Sequence, residues 1–196
     1  MEKQKNIKKR YIIIGFLVCL VGIITIGLLS QPEEKAAIDW EERYNTRYQT
    51  KFIEDISKQA QKLEDATSLS ASITITQAIL ESDWGRSELA LKSNNLFGIK
   101  GEHKGETIKM TTDEYEEGER ITIVDNFKVY DSIADSVLDH AEFLEGGTYS
   151  GLEKSKNYRE SAYILQEGGY ATDPKYAEKI IEIIEQYSLF KYDRPR

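Results

Sequence analysis

Cysteine is almost absent. The one thiol in 196 residues, Cys19, lies inside an apolar run near the N-terminus. The chain therefore has no internal disulfide, and the part after that run has no cysteine nucleophile. Histidine is nearly as scarce. His103 and His140 are the only two, which leaves a histidine-rich zinc site short of ligands; both are read as surface or structural residues. No His-Glu-x-x-His, Gly-x-Ser-x-Gly, phosphate loop or dinucleotide fingerprint occurs, so the usual metalloprotease, serine-hydrolase and nucleotide-binding kits lack their parts. Repeats and low-complexity tracts are missing too. What is present is a composition 40% hydrophobic, enough for one compact core.

Positive charge is in short supply everywhere but the start. The first ten residues carry Lys3, Lys5, Lys8, Lys9 and Arg10 against Glu2, a net of +4. The remainder holds 21 basic and 33 acidic residues, a net of −12. Such a body repels phosphate backbones, which excludes nucleic acid as a partner. A polymer it binds is held by hydrogen bonds and stacking in a groove. Tyr11 to Leu29 then runs without a charge, close to the roughly 20 residues that span a bilayer as a helix. Basic residues before it and Glu33 and Glu34 after it place the N-terminus inside the cell and the remainder outside. A signal peptide cleaved after this run is the competing reading, which makes the domain secreted. Both readings send the domain out of the cytoplasm.

The organisation expected is a basic segment at 1–10, an anchor or signal at 11–29, a polar stem at 30–50 and one domain at 51–192. Phe52, Ile53, Ile56, Ala60 and Leu63 recur at helical spacing. A second helix covers Ser70 to Ser82 and ends at Trp84-Gly85, where glycine takes a left-handed conformation cheaply. A helical turn follows at Ser87–Leu91. Glu106 to Thr112 and Arg120 to Val129 read as a hairpin turning at Gly118. Asp131 to Leu144 carries Ile133, Val137, Leu138, Ala141 and Leu144 as one apolar stripe. Asn157 to Glu167 is another helix. The last is capped by Asp173, with Pro174 first and Tyr176, Ile180, Ile183, Ile184 and Tyr187 inward. The fold class is α+β and mostly helical, with a small β-hairpin lobe.

With thiol, metal and serine chemistry set aside, carboxylates remain. Glu81 stands out because it falls in the last turn of the second helix. The helix C-terminus disfavours an added negative charge, and Trp84 beside it removes water, which favours the neutral acid. A carboxyl that stays protonated can donate to a leaving sugar oxygen. A second carboxylate is expected across a groove. Asp113, Glu114, Glu116, Glu117 and Glu119 all lie on the hairpin, and none of them stands out by position.

Several segments together carry a resemblance. They are Gln77-Ala78-Ile79-Leu80-Glu81-Ser82-Asp83-Trp84-Gly85, Ser87-x-Leu89-Ala90, Asn94-Asn95-Leu96-Phe97-Gly98-Ile99-Lys100-Gly101, Thr111-Thr112-Asp113-Glu114-Tyr115, Phe127-Lys128-Val129-Tyr130, Ser132-Ile133-x-x-Ser136 with Asp139-His140, and Gly169-Tyr170-Ala171-Thr172-Asp173-Pro174-x-Tyr176. In this order they resemble the glucosaminidase domain of glycoside hydrolase family 73, over Phe52 to Phe190. The resemblance implies a lysozyme-like fold with the glycan groove between helical body and β-lobe. It implies cleavage of the β-1,4 bond after N-acetylglucosamine in peptidoglycan, without a cofactor. It places the general acid on Glu81, the second carboxylate on Glu114 and a site-bordering tyrosine on Tyr170.

Trp84, Asn94, Asn95, Phe97, Phe127 and Tyr130 join Tyr170 as candidate substrate-binding residues, each with a packing or turn-forming reading beside it. Asp83 departs from the family pattern; it either raises the acid's pKa further or points to solvent. The partners expected are glycan strands, and the membrane through residues 11–29, with the chain a monomer. Two other functions stay open: a wall-binding module without catalysis, and hydrolysis of the amide between muramic acid and peptide.

Overall fold

The computed structural model describes residues 32–67, 69–116, 119–145 and 147–195. The basic segment and the apolar run 11–29 lie outside them. No helix among the described residues is long and apolar enough to cross a membrane. The chain divides into two units, Met1–Tyr48 and Gln49–Arg196. Helix α1, Pro32–Thr67, contains the boundary. In the first unit its residues are mostly exposed, and an Arg43–Asp39 pair at 2.7 Å joins successive turns.

In the second unit α1 behaves as its spacing predicts. Phe52, Ile53, Ile56, Ala60 and Leu63 are all buried. Next come α2 (Ala71–Ser82) and α3 (Glu88–Ser93). The strands β1 (Thr107–Glu116) and β2 (Glu119–Lys128) pair antiparallel, Ile108 opposite Phe127 and Glu114 opposite Ile121. The helices α4 (Ile133–Leu144), α5 (Tyr158–Glu167) and α6 (Tyr176–Gln186) follow, and a 3-10 turn at Leu189–Tyr192. Mostly helical with one two-stranded sheet, the unit has its core between α2, α5, α6 and that last turn.

Helix α2 is the centre of the core. Every residue from Ala71 to Ile79 is buried, so it is covered on all sides. Its first turn has no acidic residue, and Ser70 makes no side-chain cap. Carboxylates from elsewhere serve its free amides. Glu64 Oε2 accepts from Ala71 N at 3.3 Å, and Asp193 accepts from Ser72 N and Oγ, both at 2.7 Å. Negative charge there also suits the helix dipole.

Three expectations shift. The strands extend past Thr112 and back to Glu119, so Asp113, Glu114, Glu116 and Glu119 belong to the ladder. The buried stripe of α4 is Ser136, Val137, His140, Ala141 and Leu144, while Ile133 and Leu138 are exposed. Polarity hid it: Ser136 and His140 are buried because each finds a partner inside, Ser136 Oγ accepting from Leu96 N at 3.1 Å. Helix α6 begins at Tyr176, two residues after Pro174. Asp173 turns the chain ahead of it, accepting from Lys175 N through its side chain and from Tyr176 N through its carbonyl.

Candidate active site

Glu81 lies in the last turn of α2, and its placement depends on how that helix stops. Asp83, Trp84 and Gly85 take successive left-handed conformations, φ 48°, 61° and 75°. Asp83 is the cap, and Trp84 N donates to Ile79 O at 3.1 Å. Ser82 Oγ donates to Ala78 O and accepts from Gly85 N at 2.6 Å, which fixes the reversal. Asp83 points outward and pairs with Arg86 at 3.2 Å. It is not among the influences on the acid.

The Glu81 side chain opens on a cavity of about 440 Å3. Phe97, Ile99, Phe143 and Tyr170 form apolar and aromatic walls, with Gly98, Lys100 and Lys128 between them. By surface area Glu81 remains an exposed residue, so its carboxyl meets solvent as well as these walls. Desolvation by the surrounding protein raises its pKa, and a hydrogen bond from Tyr176 partly opposes the rise. The Tyr176 hydroxyl donates to Glu81 Oε1 at 2.7 Å and accepts from Gln77 Nε2 at 3.2 Å. Burial is the larger influence, so the neutral form persists to higher pH than in an ordinary glutamate.

An aromatic ladder backs this pair. Tyr170 stacks on Tyr176, centroids 5.5 Å apart and 19° from parallel. The Tyr170 hydroxyl meets His140 Nε2 at 3.2 Å, and His140 stacks on Phe97 at 3.8 Å and 8°. His140 is fully buried, and desolvation pushes its pKa down to about 3, so it is neutral at physiological pH. Its Nδ1 has no partner among the described residues. A bare lone pair costs less there than an unpaired N–H, so Nε2 carries the proton and donates to Tyr170.

The segment after α3 forms the cavity wall because Asn95 holds it. Its Nδ2 donates to Ile99 O at 2.9 Å and Lys128 O at 3.0 Å, and its Oδ1 accepts from Ile99 N at 3.1 Å. Gly101 N donates to Asn126 O and Lys128 N to Ile99 O, tying the same segment to β2.

The sequence candidates thus separate. Glu81, Phe97 and Tyr170 share the cavity. Asn94 is the left-handed cap of α3 and donates to Tyr130 O at 2.9 Å; Asn95, with both amide protons engaged, ties backbone together. Trp84 packs edge-on against Phe52 and Tyr187, at 6.0 and 4.9 Å, in the core. Phe127, near the end of β2, is buried. Tyr130 is buried and donates to Asp139 Oδ2 at 2.7 Å, while Lys128 reaches both oxygens of Asp139 at 2.9 Å. Glu114 stands opposite Ile121 on the hairpin; its side chain lies outside the described part of the structure. Tyr130→Phe is expected to cost about 1.5–3 kcal/mol, a hydrogen bond to a charged group, and to leave KM unchanged. Denaturant unfolding and steady-state kinetics check both.

Gln77, Tyr176, His140, Phe143, Lys100 and Lys128 were not singled out as site residues from the sequence. All of them but Phe143 lie within the recognised segments, and Tyr176 reads only as an inward residue of the last helix. No group of three His, Cys, Asp or Glu residues among those described is placed to hold a metal.

A family profile described as mannosyl-glycoprotein endo-beta-N-acetylglucosaminidase matches residues 57–189, most of the chain. The chain belongs to the glucosaminidase family. As a member of that family it is a glycoside hydrolase. The exo-glucosaminidase LytG of Bacillus subtilis (strain 168) is 44% identical over 200 residues, 97% of this chain and 70% of that protein. A probable N-acetylmuramidase of Lactococcus lactis subsp. cremoris (strain MG1363) is 39% identical over 150 residues, 72% of this chain but only 34% of its own length. Among solved structures, the catalytic domain of the autolysin Auto from Listeria monocytogenes aligns with a TM-score of 0.70 and 41% identity, covering 74% of this chain and 88% of that one. The glucosaminidase match takes in Glu81, Tyr170, Tyr176 and the hairpin, all within residues 57–189.

Proposed function

We propose that this chain is a peptidoglycan hydrolase that cleaves the β-1,4 bond following N-acetylglucosamine, with Glu81 as the general acid. The observation that carries the reading is the Glu81 carboxyl in its aromatic cavity, with a raised pKa, inside the family-matched segment. Protonated Glu81 donates to the glycosidic oxygen as the bond from the anomeric carbon breaks. Glu114 is the second carboxylate, on the strand ladder at position 114. The lysozyme-like arrangement of helical body and β-lobe belongs to the same reading. So does an anchor at 11–29 that holds the domain outside the cell and close to the membrane.

Relatives carry names for different bonds, glucosaminidase in one case and muramidase in another. The product decides between them. Purified peptidoglycan is digested, the new reducing ends are reduced with borohydride, and the sugar alcohols are identified. N-acetylglucosaminitol is expected. N-acetylmuramitol, or new peptide amino termini without new reducing ends, overturns the bond assignment.

The raised pKa fixes a pH dependence. A general acid works only while protonated, so the rate falls as pH rises through the Glu81 pKa, which lies above the ordinary glutamate value. The descending limb of the kcat profile is therefore expected on the alkaline side and absent from a Glu81→Gln variant's residual rate.

A further inference from the structure

We infer that Tyr176 is a positioning residue for the acid, holding Oε1 of Glu81 so that the transferable proton resides on Oε2. The inference rests on the reading of Glu81 as the general acid.

Its basis is the direction of two hydrogen bonds. Gln77 Nε2 lies 3.2 Å from the Tyr176 hydroxyl, and an amide nitrogen can only donate. The amide orientation follows from burial. Gln77 is fully buried, and its Oε1 has no partner among the described residues. Turning the amide over would leave two N–H donors in that place, a larger loss than one carbonyl oxygen. With its lone pair engaged by Gln77, the Tyr176 hydroxyl directs its own proton to Glu81 Oε1, at 2.7 Å. An oxygen that accepts there does not also carry the acid proton at the same contact. The proton is left to Oε2.

The tyrosine is well fixed for this task. It is the first residue of α6, it is buried, and its ring is stacked on Tyr170, itself held by His140. The arrangement also favours the transfer. As the Oε2–H bond breaks, the proton passes to the leaving oxygen, which keeps the electron pair of its broken bond to carbon. Glu81 becomes a carboxylate, and its bond from Tyr176 becomes charge-assisted and stronger. The contact thus stabilises the transition state more than the ground state.

The test is Tyr176→Phe, which keeps the ring and removes one oxygen. Its kcat on solubilised glycan strands is expected to fall roughly tenfold, a part of what a positioned acid supplies, with KM within about twofold. Loss of the hydroxyl removes an influence that lowers the Glu81 pKa. The alkaline limb therefore moves to higher pH, a shift that a merely structural tyrosine does not produce. An unmoved limb overturns the inference, whatever happens to kcat. Gln77→Leu, which keeps the hydroxyl but frees its lone pair, gives a smaller shift in the same direction and serves if Tyr176→Phe does not fold. Glu81→Gln is assayed in parallel. If it stays active, the acid is misassigned and the inference falls with it. If it is inactive while the Tyr176→Phe limb stays in place, only the role of Tyr176 is refuted.

Discussion

Glu81→Gln is expected to lower turnover on purified peptidoglycan by about a thousandfold, within the range of 10²–10⁴ that a positioned general acid contributes. The amide keeps the volume and can still meet the Tyr176 hydroxyl, so cavity and fold persist. Stability should not fall. In the wild type the folded pKa of Glu81 is raised above its unfolded value. The protonated side chain therefore favours folding at low pH, and this contribution is lost as pH rises through the folded pKa. At neutral pH the neutral amide escapes that loss, so the variant melts at or above the wild-type temperature. A release assay for reducing sugars and a thermal melt at pH 7 check the two halves. Loss of activity together with a sharply lower melting temperature would mean that Glu81 serves the fold.

Gly85→Ala carries the largest expected effect on stability. Gly85 sits at φ +75°, after two other left-handed residues, and an added Cβ would lie 2.8 Å from Cε2 of Phe52. Phe52 is buried and packed edge-on against Trp84, so its ring has little room to withdraw. A left-handed penalty of about 1–2 kcal/mol and an overpacking cost of about 1–3 kcal/mol combine here. The expected loss is roughly 2–5 kcal/mol, or roughly 4–20 °C in melting temperature for a domain of this size. Because this turn ends the helix that bears Glu81, activity should fall as well. A melting temperature within 2 °C of the wild type would contradict this account of the turn.

The helical body was legible because its signals are local. The spacing from Phe52 to Leu63, glycine at 85 and Asn157 ahead of α5 each act within a few residues. What stayed hidden depends on distant parts of the chain. The amides at the start of α2 are served by Glu64 and Asp193, and Asp193 is more than a hundred residues away. The same is true of the site. Glu81 could be singled out from its position at a helix end, but the wall expected from Trp84 is supplied by Phe97, Ile99, Phe143 and Tyr170. The Trp84 ring packs instead on Phe52 and Tyr187, at a left-handed residue of the turn. Tyr176 looked like one more apolar contact of an amphipathic helix. Only the meeting of α6 with the end of α2 gives its hydroxyl a carboxyl to bind. His140 was read as surface or structural, and it is structural: a buried neutral ring between Phe97 and Tyr170. The acids of the hairpin gave no local distinction among themselves, and the family resemblance alone singled out Glu114.

The central claim is that the Glu81 carboxyl remains protonated where an ordinary glutamate has lost its proton. The direct measurement is its own titration, followed by the carboxyl carbon resonance in the folded protein and assigned by its disappearance in Glu81→Gln. A midpoint above the ordinary value of 4.5 is expected. A midpoint at or below that value would contradict the raised pKa on which the general-acid role rests, and the mechanism would have to be abandoned.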